Sequence, residues 1–419
     1  MSFVRELVED FFSRERKFSG VERELEVPFT GKIVSIVGPR RAGKTWFFYS
    51  LLQKLENPMY VDFEDVAFSH LRPEEFFDVI KIFTEVKYGP KSLLLDEIQA
   101  LHGWGSLVRS LHDRGYRVFL TGSSSKLLPK EVSTELRGRT ITYLLLPFSF
   151  REFVRARRVE VSPLSFEGRG EILRLLKEYL TYGSYPEVVL ASDKQRILRE
   201  YMDTIFYRDF VERHKIKSME FGRFLFEFAF QNFSREISLR KIKRSFPAGV
   251  SFKTLYDYVD KIQDTLAVFF LEKYSGSVYL RRSWPRKLYV CDLGISEFLG
   301  FSPDLGRRME NCVYLELMRR RNHHPWLEIF YFRDQAGEVD FVLKEGTSVR
   351  QLIQVTYASS RDEVEDRELK SLLRAGKKMG CENLLVITWD YEGEEVWEGR
   401  RLKLVPLWKW LLTPEPAVI

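Results

Sequence analysis

Lys32-Ile-Val-Ser-Ile-Val-Gly-Pro-Arg-Arg-Ala-Gly-Lys-Thr45 is the stretch on which the fold turns. Its first half is a solid apolar run of strand length, the pattern of a strand buried on both faces. Its second half, Gly38 to Thr45, fits G-x-x-x-x-G-K-[ST] in full, and the residues from Lys44 to Leu55 read as a helix. Glycines let the backbone curl so that its N–H groups face an anion, and the helix N-terminus adds partial positive charge. Gly38, Pro39, Arg40, Arg41, Ala42, Gly43, Lys44, Thr45 and Trp46 are therefore the predicted seat of ATP. Lys44 is placed to reach the β- and γ-phosphates, and the Thr45 hydroxyl to hold Mg2+.

Working outward, Met59–Phe63, Ser92–Leu95, Arg117–Leu120 and Ile141–Leu146 are further apolar runs with helical stretches between them. That alternation predicts a parallel sheet with right-handed crossovers. Leu93-Leu-Leu-Asp96-Glu97 delivers two acids at a strand end beside the loop. Asp96 is expected to bind Mg2+ and Glu97 to act as the base that polarises the attacking water. The pair fits an ATPase with a catalytic Glu, and no guanine-reading N-K-x-D accompanies it. Thr121-Gly-Ser-Ser-Ser125 ends the next strand, where Ser123 or Ser124 could orient that water or form a plain turn. Arg137 or Arg139, in Leu136-Arg-Gly-Arg139, could reach a neighbour's nucleotide, which would require self-association, or could be a solvated basic turn.

The 419 residues are 44% hydrophobic and 30% charged, which excludes a disordered or collagen-like chain. Lys+Arg 66 against Asp+Glu 60 gives +6, compatible with a nucleic-acid partner without requiring one. The three cysteines, Cys291, Cys312 and Cys381, are too scattered for a disulfide scaffold or the usual zinc patterns. No apolar run approaches membrane-spanning length, and the mixed Arg and Glu of Met1–Lys17 do not read as a secretory signal. A cytoplasmic protein with no membrane partner is expected.

The run Gly38–Thr45, together with Tyr60-Val-Asp-Phe-Glu-Asp65, Leu95-Asp-Glu-Ile-Gln99, Leu120–Ser125, Leu136–Arg139, Pro147-Phe-Ser-Phe-Arg-Glu-Phe153, Tyr182-Gly-Ser-Tyr-Pro-Glu-Val188 and Asp203–Asp209, resembles the archaeal and other prokaryotic AAA+-type ATPases that carry a fused C-terminal PD-(D/E)xK nuclease-like domain. The resemblance covers nearly the whole chain. It implies an α/β P-loop ATPase core over residues 1–149, a helical lid over 150–217, a winged-helix domain over 218–283 and a restriction-nuclease-like α/β domain over 284–419.

In the middle module, Ser251 reads as the N-cap of Phe252–Ile262, with Leu255, Tyr258, Val259 and Ile262 facing a core and Lys253, Thr254 and Asp257 facing out. Leu271–Leu280 reads as a hairpin, the wing of a winged helix-turn-helix, whose third helix could enter a DNA major groove or serve only for packing. Farther on, Gly337–Lys344 and Leu352–Thr356 resemble the nuclease core. That resemblance implies a second metal site with Glu316 on the preceding helix, Asp340 and Gln354. Thr356 stands where the family has lysine, so water activation would need Lys344 or Lys370. The combined expectation is a Mg2+-dependent ATP hydrolase coupled to DNA, with branched DNA as one candidate. The alternative is a nucleotide-dependent regulatory ATPase with protein partners and an inactive nuclease-like domain.

Overall fold

The structure is a computed structural model that describes residues 2–14, 18–68, 70–122, 136, 138–159, 165–246, 249–283, 285–300, 304–335 and 337–413. The chain divides into two compact units. One comprises residues 1–147 with 264–266, the other 148–263 with 267–419.

The first unit is built on five parallel strands: β1 (Ile33–Val37), β2 (Pro58–Asp62), β3 (Ser92–Asp96), β4 (Arg117–Gly122) and β5 (Thr140–Leu144), in the order β2-β3-β4-β1-β5. The solid apolar runs are buried along their lengths in β1 and β3, as strands covered on both faces must be. Helices Lys44–Leu52, Phe76–Val86 and Trp104–Asp113 fill the crossovers. The order sets β4 between β1 and β3, so the phosphate-loop strand and the Asp96 strand flank a shared neighbour. The N-terminal helix Ser2–Ser13 packs Phe11 edge-on against Phe68 at 4.8 Å and Phe12 against Phe83 at 4.8 Å.

The second unit opens with helices Phe150–Ala156, Phe166–Tyr182, Pro186–Leu190 and Lys194–Thr204, the last continuing into a π-helical stretch Ile205–Glu212. Next come helix Met219–Gln231, β6 (Arg235–Ile237), helices Leu239–Ser245 and Phe252–Asp264, β7 (Val268–Leu271), helix Val278–Arg282 and β8 (Arg286–Val290). Ser251 Oγ accepts from Thr254 N at 3.0 Å, capping Phe252–Asp264 as expected, and Leu255, Tyr258, Val259 and Ile262 are buried. The expected hairpin over Leu271–Leu280 is not formed. β7 stops at Leu271, Val278–Arg282 is helical with Ser277 as its cap, and the strand that completes the antiparallel sheet β6-β8-β7 is Arg286–Val290. The reason is local: Ser277 offers a cap to Leu280 N, while the unbroken apolar pattern Leu288-Tyr-Val290, buried at all three residues, suits a strand.

After helices Gly294–Phe298 and Leu305–Arg320, a six-stranded mixed sheet is formed by β9 (Leu327–Asp334), β10 (Gly337–Glu345), β11 (Ser348–Val355), β12 (Leu384–Thr388), β13 (Gly393–Trp397) and β14 (Arg400–Pro406). Its order is β13-β14-β12-β11-β10-β9. The β13–β14 hairpin was not anticipated, although Glu398 and Gly399, both at positive φ (49° and 76°), make the type of two-residue turn that fits strand twist. Helix Asp366–Met379 covers one face through Leu369, Leu372 and Leu373.

Within this unit the first helices are pinned to the later part of the chain. Asp292 accepts from Ser184 N at 2.6 Å and from Gly294 N at 2.8 Å. A Cβ on Gly183 would lie 1.9 Å from Asp292 Oδ1, and one on Gly294 would lie 2.3 Å from the Tyr182 carbonyl oxygen. Arg308 donates to the Leu180 carbonyl at 2.8 Å, and Arg319 to that of Phe148 at 3.0 Å.

Candidate functional site: the phosphate loop and a buried lysine–acid cluster

The loop between β1 and helix Lys44–Leu52 has the backbone its glycines suggest. Gly43 takes φ 95° at the helix cap, and Arg41 itself is left-handed at φ 67°. Gly38 is required for a different reason. The chain at β5 comes so close that a Cβ there would sit 2.0 Å from the Leu145 carbonyl oxygen, and Leu145 N donates to Val37 O at 2.7 Å. Lys44 is 5% exposed, and its Nζ lies inside the loop, donating to the carbonyls of Gly38 (3.2 Å) and Pro39 (3.1 Å), with Glu97 Oε1 at 3.7 Å. The two carbonyl contacts are neutral and modest, and a phosphate could take them over.

Asp96 ends β3 wholly buried. Thr45 Oγ1 and Tyr60 OH each donate to its Oδ2 at 2.8 Å, and the Thr121 hydroxyl donates to Oδ1. Burial, then the Glu97 charge, raises the Asp96 carboxyl above its usual range. Thr121 Oγ1 also accepts from Glu97 N at 3.0 Å, so one hydroxyl from β4 fixes both acids. Glu97 adopts φ 48°, a left-handed conformation uncommon for this residue type and frequent at functional positions. Its carboxylate accepts from Gln99 Nε2. Asp62, in register with Asp96, is pushed by burial to about 6.

The structure thus brings Gly38, Gly43, Lys44, Thr45, Asp96 and Glu97 together. Around them, Arg40 faces Glu64 at 3.7 Å, Arg41 is on the surface, Ala42 is buried, and the half-exposed Trp46 ring lies 6.4 Å from Phe18 and 5.6 Å from Tyr49. Ser123, Ser124 and Arg137 lie outside the described residues. Arg139 pairs with Asp113 at 2.6 Å. Sequence reasoning missed Tyr60, Asp62, Thr121 and Arg23. Arg23 donates to the carbonyls of Ala42 (2.7 Å) and Leu146 (2.5 Å), clamping the loop from the N-terminal side. The polar ends of β2 and β4 were the available signal for the first three; Arg23 had none.

The C-terminal residues are arranged otherwise than the resemblance implied. Glu316 is 0% exposed and meets three guanidiniums, Arg151 at 2.8 Å, Arg320 at 3.5 Å and Arg319 at 3.6 Å. Burial would raise its pKa, but these charges outweigh it and hold it below its ordinary value. Its charge is therefore matched by arginine, while its Oε2, 3.6 Å from Arg319, accepts no hydrogen bond. The helix residue that shares a partner with Asp340 is Glu310, nearly two turns earlier. Lys287 Nζ from β8 lies 2.8 Å from Glu310, 2.6 Å from Glu338 and 2.8 Å from Asp340. Asp340 Oδ2 accepts from Val355 N at 2.9 Å, and Glu310 from Tyr289 OH at 2.6 Å. Burial would lower the Lys287 pKa, but the Asp340, Glu310 and Glu338 charges hold it well above its usual value. The ammonium in contact with Asp340 is that of Lys287. Lys344 is paired with Glu328, and Lys370 is exposed. Among the described residues no three His, Cys, Asp or Glu side chains gather as a metal ion would require.

Comparison with known proteins places this geometry. Residues 30–154 match the model of an AAA domain, and residues 173–305 and 305–410 match two domains of unknown function, DUF8612 and DUF4143. An uncharacterized protein of Methanocaldococcus jannaschii is 36% identical over 97% of this chain and 95% of its own length. An uncharacterized protein of Haemophilus influenzae is 25% identical, covering 86% of this chain and 94% of its own. Among solved structures, domain III of the Thermotoga maritima replication initiation protein DnaA is 16% identical, covers 62% of this chain and 91% of its own, and has a TM-score of 0.21. C. elegans PCH-2 is 15% identical, covering 63% and 67%, with a TM-score of 0.22. At these scores neither solved structure bears on function. No helix among the described residues is long and apolar enough to cross a membrane.

Proposed function

Because the chain belongs to the family of the M. jannaschii protein and carries an AAA domain at residues 30–154, we propose that it is a Mg2+-dependent ATP hydrolase of AAA+ type coupled to DNA binding. The observation that carries this reading is the meeting of Lys44 and Thr45 with Asp96 and Glu97 across β1, β4 and β3.

The donor set suits magnesium. Thr45 Oγ1 and Asp96 are hard oxygen ligands already in contact. Thr45 and Asp96 would hold the ion, which would supply positive charge against the phosphates. The chain's own residues do the rest. The backbone N–H groups between Gly38 and Lys44 wrap the phosphates, and Lys44 exchanges its loop carbonyls for phosphate oxygens. Glu97, held by its backbone to Thr121 and close to Lys44, accepts a proton from the attacking water. Arg139, or Arg137, would serve a neighbouring subunit's nucleotide, in which case Arg139 must first leave Asp113.

DNA binding is supported by the order helix, strand, helix, helix, strand, short helix, strand over 219–290, which resembles a winged helix with Val278–Arg282 standing between its last two strands. Its third helix exposes Phe252, Lys253 and Tyr256, and Lys243 Nζ sits 4.3 Å over the Phe252 ring. The deciding experiment measures ATP turnover with and without single-stranded, duplex and junction DNA, and follows DNA affinity against salt. Stimulated turnover with steeply salt-dependent binding is expected. DNA-independent turnover and salt-insensitive association would favour the second reading, a regulatory ATPase with protein partners. One observation supports that rival: the acids of the nuclease-like region are tied up by Lys287.

A further inference from the structure

Glu97 is held at both its backbone and its side chain. Thr121 Oγ1 accepts from its backbone N–H at 3.0 Å, and the Gln99 side-chain amide donates to its Oε2. The second contact joins residues two apart in sequence, which on a helix do not face each other. It forms here because the chain turns left-handed at Glu97, φ 48°, and then enters a 3-10 turn over Ile98–Ala100, with Ala100 N donating to Glu97 O at 3.0 Å. Ile98, between the two polar residues, is fully buried and anchors that turn.

The amide has only one way to face. An ionised carboxylate accepts and never donates, so Gln99 must turn its Nε2 toward Glu97 and its Oε1 away. That Oε1 is shielded from solvent and accepts no hydrogen bond. A buried acceptor left unsatisfied destabilises a fold. A methionine of similar length would avoid that cost, so packing does not account for the residue. What the amide secures is the other carboxylate oxygen. With Oε2 tied to Gln99, Oε1 is the atom turned toward Lys44, at 3.7 Å. Lys44 rests on the Gly38 and Pro39 carbonyls inside the phosphate loop, so Oε1 faces the seat of the phosphates.

We propose that Gln99 is a positioning residue for ATP hydrolysis: its amide N–H locks the Glu97 carboxylate so that Oε1, and not Oε2, takes the proton of the attacking water. As the water oxygen bonds to the γ-phosphorus, the bond to the β,γ-bridging oxygen breaks and its electron pair leaves with ADP; the proton ends on Glu97 Oε1, and Gln99 gains and loses nothing. The inference rests on the ATPase reading with Glu97 as base, and not on DNA binding.

The test uses the full chain carrying Gln99→Met, which keeps the length without a donor, or Gln99→Glu, which keeps the shape but presents a second carboxylate at neutral pH. Both should bind an unhydrolysable ATP analogue with Mg2+ as the unaltered chain does. Both should keep KM for ATP within about twofold while kcat falls on the order of 10–10²-fold, the cost of a misplaced catalytic group. Gln99→Met should unfold at a denaturant concentration no lower than the unaltered chain, since it removes the unsatisfied Oε1. Added to Glu97→Gln, it should lower kcat by less than about twofold further, because Gln99 acts only through Glu97. A normal kcat in either variant overturns the proposal, as does a loss that multiplies in full on top of Glu97→Gln. A Gln99→Met chain that fails to fold overturns it too, since packing would then be what the residue serves. An unaltered chain that hydrolyses no ATP brings down the ATPase reading itself; hydrolysis that survives both substitutions removes Gln99 alone.

Discussion

Two buried lysines make the most instructive contrast in this molecule. Lys44 donates to two neutral carbonyls at 3.1 and 3.2 Å and has a carboxylate only at 3.7 Å. Lys287 touches three carboxylates at 2.6–2.8 Å. Charge-assisted hydrogen bonds are roughly twice as strong as neutral ones, so the first ammonium is ready to change partners and the second is not. Burial alone therefore does not mark a reactive lysine; what matters is how replaceable its present partners are.

The contrast can be broken most directly at Lys44. Lys44→Ala should abolish binding of an unhydrolysable ATP analogue with Mg2+, read as absent heat in calorimetric titration, while leaving the fold intact. Glu97→Gln should retain that heat and lower turnover by about 10²–10⁴-fold, the usual range for a lost general base. Normal turnover in this variant would remove Glu97 from that role. Lys287→Met should do the reverse. It should bind the analogue normally but lose about 3–5 kcal/mol in chemical unfolding, because it strands several buried acids.

Asp292 sharpens the comparison from a third side, as a buried acid held by N–H groups and the Ser184 hydroxyl. Burial raises it to about 6 from an ordinary 3.8. The folded state then binds its proton more tightly than the unfolded state. The stability it contributes is complete below about pH 4 and is lost as pH rises through about 6. Asp292→Asn should flatten that slope, an effect on the order of 2–3 kcal/mol across the window in unfolding experiments.

The ATPase half was open to reading because its chemistry is contiguous. Gly38–Thr45 and Leu93–Glu97 each combine a solid strand with the polar residues it delivers, so strand ends and site appear in one line of sequence. Asp62 and Thr121 reach the same place only through the order β2-β3-β4-β1, which no local pattern encodes. The C-terminal cluster was opaque for the same reason, carried further. Glu316 has the spacing the resemblance asks for, yet Arg151, Arg319 and Arg320 claim it, and Lys287 arrives from a strand 53 residues before Asp340. The misplaced hairpin at Leu271–Leu280 shows the limit of short apolar runs, since a serine cap sufficed to turn one into helix.

The glycines around Asp292 also carry a mechanical meaning. With no room for even a methyl group at Gly183 or Gly294, the helices from Phe148 to Leu190 cannot slide against the strands and helices that follow Val290. A methyl group at Gly183 would have to push the Asp292 carboxylate aside, and with it the hydrogen bonds that Ser184 and Gly294 donate to it.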